Sequence, residues 1–153
     1  MKISDILKSD FVISDLGTTD KQGTLTELCR FLADKGVIQD RDSLLQALLE
    51  REKLGSTGIG DNVAIPHAKI DDIDQITIVF ARSPQGIEFE ALDQKPVHFV
   101  CLLLAPNGST GQHLKALARI ARLFKNEVLR EAILKAAGSS EIYSVLLEED
   151  SKF

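Results

Sequence analysis

The chain has 153 residues, 44% of them hydrophobic and 27% charged, which predicts one globular domain over residues 1–153 and excludes a disordered or fibrous chain. Its net charge of −5 argues against generic binding to nucleic acid, and no apolar run approaches the ~18 residues that a membrane span needs. The N-terminus is too polar for a signal peptide, and the two cysteines, Cys29 and Cys101, are too few for a disulfide framework. We therefore expect a reduced, cytoplasmic protein that is not inserted in a membrane.

The first third of the chain predicts one short strand followed by two helices. Residues 11–16 are mainly apolar and β-branched, which favours a strand. Apolar residues then recur at helical spacing and predict a helix from about Thr24 to Gly36. A second helix is expected to begin after Asp40 or Asp42, either of which is a good N-cap, and to end at Gly55.

The remainder predicts strands first and helices afterwards. Residues 63–67, 76–82 and 97–104 are short apolar runs separated by turn residues, and the last run is apolar enough for a strand buried on both faces. Three helices are expected after residue 109, the last two over residues 127–137 and 139–148. This order predicts an α/β fold with a central mixed sheet flanked by helices on both sides.

A histidine follows a glycine-rich loop in the middle of the chain. His67 comes after Pro66, which lacks a backbone donor and is expected to end sheet pairing, so the ring would lie at a strand terminus. The loop is no P-loop, because it lacks the Lys-Ser/Thr pair and leads into a strand. Its backbone N–H groups could still bind an anion, although a plain turn is the alternative. The candidate phosphate-binding residues are Ser56, Thr57, Gly58, Ile59 and Gly60.

Two further side chains are candidates for the same site. Arg51 ends the apolar stripe of the second helix, and a guanidinium facing inward needs an anionic partner, either a structural carboxylate or a phosphoryl group. His113 lies in the first turn of the helix after residue 109, where a neutral imidazole can donate to an anion or can simply face solvent. The same helix is expected to turn Leu114 and Leu117 toward the core and Lys115 toward solvent.

The segment from Arg51 to Lys69, REKLGSTGIGDNVAIPHAK, resembles the phosphorylation-site region of the enzyme IIA components of the phosphoenolpyruvate-dependent phosphotransferase system, fructose/mannitol class. The core AIPHA is similar to that family's signature around its phosphoaccepting histidine, and the resemblance extends over nearly the whole chain. The REKLGSTGIG run and the chain length are most similar to the nitrogen-regulatory branch. Asn62 stands where a glycine is common, and asparagine also tolerates left-handed geometry.

The resemblance implies that His67 accepts a phosphoryl group, as tele-phosphohistidine, from the phosphohistidine of an HPr-like carrier. It also implies that His113 is the second active-site histidine and that Arg51 is the neighbouring basic residue, without a metal or another cofactor. The leading interpretation is a phosphocarrier whose phosphorylation state regulates partner proteins, because no IIB-like or membrane segment is present in the chain. The alternative is a transport protein that passes the group to the cysteine of a IIB domain.

Two interpretations from other classes also follow from the residues. A metal-dependent hydrolase would use His67 and His113 as ligands, but no HExxH motif and no carboxylate close to either histidine accompanies them. A binding module without chemistry would leave both histidines as bystanders. Several compatible residue types within one motif argue against that second interpretation.

Overall fold

One mixed sheet of six strands is the centre of the computed structural model, which describes residues 1–153. The strands are β1 Val12–Ile13, β2 Gly58–Gly60, β3 Val63–Ala64, β4 His67–Ile70, β5 Thr77–Ile87 and β6 Val97–Pro106. Their order is β1-β5-β6-β3-β2, and β4 pairs with β6 beyond the end of β3. Strand β6 runs antiparallel to β5 but parallel to β3 and β4. The predicted mixed sheet is confirmed.

Six α-helices surround this sheet. They are α1 Ile3–Ile6, α2 Lys21–Asp34, α3 Arg41–Lys53, α4 Thr110–Phe124, α5 Glu127–Lys135 and α6 Ser139–Asp150. Helix α2 begins three residues earlier than the predicted Thr24, because the Asp20 carboxylate accepts a hydrogen bond from the Gly23 amide and caps the helix there. The Asp40 carboxylate caps α3 in the same way. None of these helices combines the length and apolar character that crossing a bilayer would require.

Strand β6 lies at the centre of the core. The seven consecutive side chains from Phe99 to Ala105 are all buried, although neighbouring residues of a strand point to opposite faces. Helices therefore cover both faces of the sheet, as the apolar run predicted. On one face the rings of Phe80 and Phe99 pack on Phe124 of α4, with ring centroids 5.5 and 6.3 Å apart, respectively.

The predicted strand over residues 63–67 is divided into two strands by Pro66. The expectation that Pro66 ends sheet pairing was wrong, because the chain stays beside β6 on either side of it. The Pro66 carbonyl accepts a hydrogen bond from the Leu103 amide at 2.9 Å, so a missing donor does not detach the chain. His67 consequently opens β4 and lies opposite Leu103.

Two other predicted elements differ from the structure. The strand expected over residues 11–16 is reduced to Val12–Ile13, since a 3₁₀ turn occupies Ser9–Phe11. The glycine-rich loop contains strand β2, which forms a hairpin with β3. Asp61 and Asn62 turn this hairpin with φ of 57° and 65°, the left-handed geometry that asparagine tolerates.

The buried face of α4 is rotated relative to the prediction. Leu114 is 59% exposed, whereas His113 is buried together with Ala116 and Ile120. Lys115 is exposed, as expected. The reason is that a helical period defines a stripe but not the residue at its centre, and here the sheet contacts a neighbouring row of residues. Leu114 thereby becomes available to a surface cavity.

Candidate active site

His67, Arg51 and His113 meet in one open cavity of about 560 Å³. His67 is contributed by the start of β4, Arg51 by the last turn of α3, and His113 by the first turn of α4. Strand β4 packs against α3, and α4 follows β6, the strand that pairs with β4. Three residues that lie up to 62 positions apart in sequence therefore share one site, because the central strand brings their elements together.

The hydrogen bonds of His67 define its tautomer. Its Nδ1 lies 2.9 Å from the Ile65 carbonyl oxygen, which can only accept, so Nδ1 carries the proton. Its Nε2 lies 3.2 Å from Nε of Arg51, a group that can only donate, so Nε2 holds the lone pair. The ring is half-buried and lines the cavity. Nε2 is therefore the nucleophilic atom of this histidine.

Arg51 has no carboxylate partner in this structure. None of the six ion pairs includes it; besides Nε2 of His67, its guanidinium donates only to the Gly55 carbonyl oxygen, from Nη1 at 2.9 Å. The structural ion pair that was an alternative at this position is absent. A half-buried cation that lines a cavity and has no carboxylate partner is suited to bind an anion from outside.

His113 is held as a neutral ring. It is 6% exposed, and its Nδ1 is buried without a hydrogen-bond partner. Burial is the main reason that the pKa of His113 lies below its ordinary 6.5; the Lys69 ammonium, and His67 whenever its ring is protonated, lower it further. Because an unpaired buried N–H is less tolerable than an unpaired lone pair, the proton belongs on Nε2. The ring lies 5.4 Å from that of His67, centroid to centroid, with 73° between the planes.

The glycine-rich loop does not line this cavity. The Thr57 amide donates to Glu52 Oε1, and the Gly58 amide donates to Ser56 Oγ. Two of the amides expected to bind an anion are thus occupied by other acceptors, and the structure gives the predicted role of Ser56–Gly60 no support. The loop is instead joined to α3 and, through it, to α2. Buried Glu52 of α3 also accepts the Thr57 hydroxyl and pairs with Lys21 of α2 at 3.0 Å.

Lys69 and Thr110 also line the cavity, and the sequence did not single them out. The Lys69 ammonium donates to Thr110 Oγ1 at 3.0 Å and so connects β4 with the start of α4. The signal was present in the alternation of β4, since residues 67 and 69 share one face of a strand. By contrast, no three histidine, cysteine or acidic side chains lie close enough together to hold a metal ion. The hydrolase alternative therefore lacks a third ligand here.

The fold and the site define an α/β protein with a histidine–arginine cavity at the edge of a mixed sheet. The family described as "Phosphoenolpyruvate-dependent sugar phosphotransferase system, EIIA 2" matches residues 5–149. The chain therefore belongs to that family, and the resemblance stated from its motif is confirmed.

Individual relatives fall in both functional branches of the family. The chain is 40% identical to a nitrogen regulatory protein of Bradyrhizobium diazoefficiens, over 95% of either chain. It is 36% identical to the fructose-specific EIIA component of Haloferax volcanii, again over 95% of both. It is also 33% identical to the fructose-specific EIIABC component of Bacillus subtilis, of whose length it spans only 24%. A crystal structure of nitrogen regulatory protein IIA-Ntr from Neisseria meningitidis superimposes with a TM-score of 0.86 at 32% identity, covering 94% of this chain and 98% of that one.

Proposed function

We propose that this protein is a cytoplasmic phosphocarrier that accepts a phosphoryl group on Nε2 of His67 from the phosphohistidine of an HPr-like carrier. The observation that carries the proposal is the tautomer of His67. Its Nδ1 proton is engaged by the Ile65 carbonyl, so the one lone pair of the ring is directed toward Arg51 and the cavity. Family membership supports the same chemistry, since the family is a phosphotransferase component.

In the transfer step, the Nε2 lone pair of His67 forms a bond to phosphorus while the N–P bond of the donor breaks. The donor imidazole takes back the bonding electron pair, so no oxidant, metal or additional proton is required. The His67 ring gains positive charge as it uses its lone pair. The Ile65 carbonyl, 2.9 Å from Nδ1, stabilises that charge and keeps the proton in place.

Arg51 and His113 would stabilise the phosphoryl oxygens during this step. In the unphosphorylated protein the Nε–H of Arg51 donates to Nε2 of His67, the atom that must attack. As the phosphoryl group arrives, Arg51 must release Nε2 and donate this hydrogen bond to a phosphoryl oxygen instead. His113, neutral with its proton on Nε2, adds a donor without adding a charge. Phosphoryl transfer depends mainly on such positioning and charge stabilisation.

Exposed leucines beside the cavity support a protein as the partner. Leu54 is 85% exposed and Leu114 is 59% exposed, and both line the cavity that contains His67. Large apolar side chains grouped around a reactive atom favour docking of another protein over binding of a small polar solute. A carrier protein that brings its own phosphohistidine matches this surface.

The test is phosphorylation by a phosphoenolpyruvate-driven carrier chain, followed by mass spectrometry of the modified peptide. We expect one acid-labile, base-stable phosphoryl group on His67 and none in His67→Ala. His113→Ala should still be labelled on His67, but more slowly. Label that persists undiminished in His67→Ala, or that maps to His113 in the wild type, would overturn the proposal.

For the acceptor we propose regulated target proteins, as the relation to nitrogen regulatory proteins suggests. Transport is the second candidate, because the chain is also similar to a separate fructose-specific EIIA component. That relative has nearly the same length, so chain length does not distinguish the regulatory branch from the transport branch. Incubating the phosphorylated protein with a purified fructose-type IIB domain separates the two. Loss of label to the IIB cysteine within seconds indicates transport, whereas retention of the label on His67 indicates regulation.

A further inference from the structure

Lys69 places a second cation beside His67. The two residues are separated by Ala68 on β4, so their side chains leave the same face of the sheet. Ala68 points the other way and is buried, whereas Lys69 is exposed and lines the cavity with His67 and His113. The Lys69 ammonium is held at 3.0 Å by the Thr110 hydroxyl, at the start of the helix that carries His113.

The positive charge of Lys69 is not neutralised by a carboxylate. None of the six ion pairs includes Lys69. The acidic residue that lines the cavity is Glu50, and it pairs with Lys53 at 3.0 Å. The bond from Lys69 to Thr110 uses one of the three N–H donors of the ammonium, so two N–H groups of Lys69 remain for another acceptor. The site thus contains two cations, Arg51 and Lys69, without a matching anion.

We propose that Lys69 is a ligand of the phosphoryl group on His67 and stabilises the phosphorylated form of the protein; this inference rests on the proposed function. A phosphoryl group on a side chain carries roughly −1.5 to −2 charge at pH 7. Besides the positive charge that the His67 ring itself gains, Arg51 supplies one charge and neutral His113 supplies none, so Lys69 is the remaining cation of the cavity that can pair with a phosphoryl oxygen. Thr110 keeps the ammonium within reach before the phosphoryl group arrives.

The equilibrium of phosphoryl exchange with the carrier tests this inference. A residue that only assists docking changes the forward and reverse rates equally, whereas a ligand of the bound group changes the equilibrium constant. We expect Lys69→Gln to lower the fraction of phosphorylated protein, with the equilibrium constant falling about 3- to 10-fold at low salt. The deficit should shrink at ~0.5 M salt, because the charges are exposed and screened. Lys69→Arg should recover most of the loss.

Two further variants complete the experiment. Lys135→Gln removes an exposed lysine of α5 outside the cavity and should leave the equilibrium constant unchanged. Thr110→Val removes the hydroxyl that holds the ammonium and should lower the constant by less than about 3-fold. Circular dichroism verifies that each variant is folded. An unchanged constant in Lys69→Gln overturns the inference, even if transfer is slower. Absence of label on His67 in the wild type overturns the proposed function itself.

Discussion

Arg82 and Arg51 both lack a carboxylate partner, and they differ in what their donors face. Arg82 is 6% exposed and donates to three backbone carbonyl oxygens, those of Ser14, Ile133 and Ala136, at 2.7–2.8 Å. Arg51 is half-buried and donates to His67 Nε2 and to the Gly55 carbonyl at the wall of an open cavity. One guanidinium is satisfied by the chain itself, and the other is available to a ligand.

This difference shows how a structural cation can be distinguished from a functional one. The carbonyls that Arg82 binds belong to the β1 region and to the end of α5, so this side chain joins a strand to a helix. A buried charge of that kind is tolerated only because fixed dipoles surround it. Arg51 connects nothing distant apart from His67, and its substitution should therefore affect chemistry rather than folding.

The largest effect is expected for Arg82→Met. Removal of the guanidinium leaves buried carbonyls without partners, which should lower the free energy of unfolding by about 3 kcal/mol or more. For a chain of this size that corresponds to a fall in Tm of roughly 6–12 °C. Thermal melts followed by circular dichroism measure it, with the exposed Arg41→Met as a control within about 0.5 kcal/mol of wild type. A wild-type melting temperature would show that the carbonyls find other donors.

Arg51→Lys should show the opposite result: slower phosphoryl transfer with nearly unchanged stability. Lysine retains the charge but loses the planar fork, and the lost charge-assisted hydrogen bond of about 1.5–3 kcal/mol should slow phosphoryl transfer about 10- to 150-fold. Stability should hardly change, because no ion pair is broken and the lysine stem can extend into the cavity. Rapid-quench transfer from the phosphorylated carrier measures the rate. A destabilised variant that transfers at the wild-type rate would place Arg51 in the same category as Arg82.

Thr57→Val sharpens the comparison, because Thr57 bonds to Glu52, the residue that follows Arg51 in α3. Glu52 is buried and accepts both the amide and the hydroxyl of Thr57, so valine removes one of the bonds that join the loop to α3. We expect a loss of about 1–2 kcal/mol in unfolding free energy from urea titration. Phosphorylation of His67 should stay within about 2-fold of wild type, because Thr57 does not line the cavity. A strong loss of transfer without destabilisation would instead support the anion-binding role predicted for the loop.

The smallest effect concerns the pH dependence contributed by His113. The folded protein lowers the pKa of His113 below 6.5, mainly through burial, so the unfolded chain binds the proton more readily. Stability should therefore fall as pH decreases below about 6.5, and the effect should saturate once pH is below the folded pKa as well. In His113→Gln this decrease should be weaker than in the wild type. Urea titrations at several pH values from 7.5 to 5 measure the free energy of unfolding of both proteins. An equal decrease with falling pH in wild type and His113→Gln would contradict the prediction.

Much of the site was accessible from local pattern alone. The end of α3, the Pro66–His67 pair and the first turn of α4 identified Arg51, His67 and His113 as candidates before any contact was known. The continuous apolar run of β6 likewise predicted a strand covered on both faces. These features depend on propensity, capping and spacing along a few residues, and such information is written directly in the chain.

Other features depended on contacts between distant segments. The exposure of Leu114 follows from the row of α4 that the sheet contacts, and the burial of the Thr57 donors follows from the position of Glu52. The role proposed for Lys69 depends on Thr110, which lies 41 residues later in the chain and contacts the Lys69 ammonium only in the folded protein. A periodic pattern defines a face, but the neighbouring element determines what that face meets.

The sequence by itself determined the elements, the central strand and the types of residue that carry the chemistry. The resemblance implied attack from Nε2 of His67, but the physical reason is visible only in the folded chain, where the Ile65 carbonyl engages Nδ1 and Arg51 approaches Nε2 from a helix 16 residues away. The neutral state of His113 has the same origin, since its burial and the charges near it are properties of the assembled fold. Hydrogen bonds and desolvation act through space, so the tautomer of His67 and the neutral state of His113 follow from packing rather than from the order of residues.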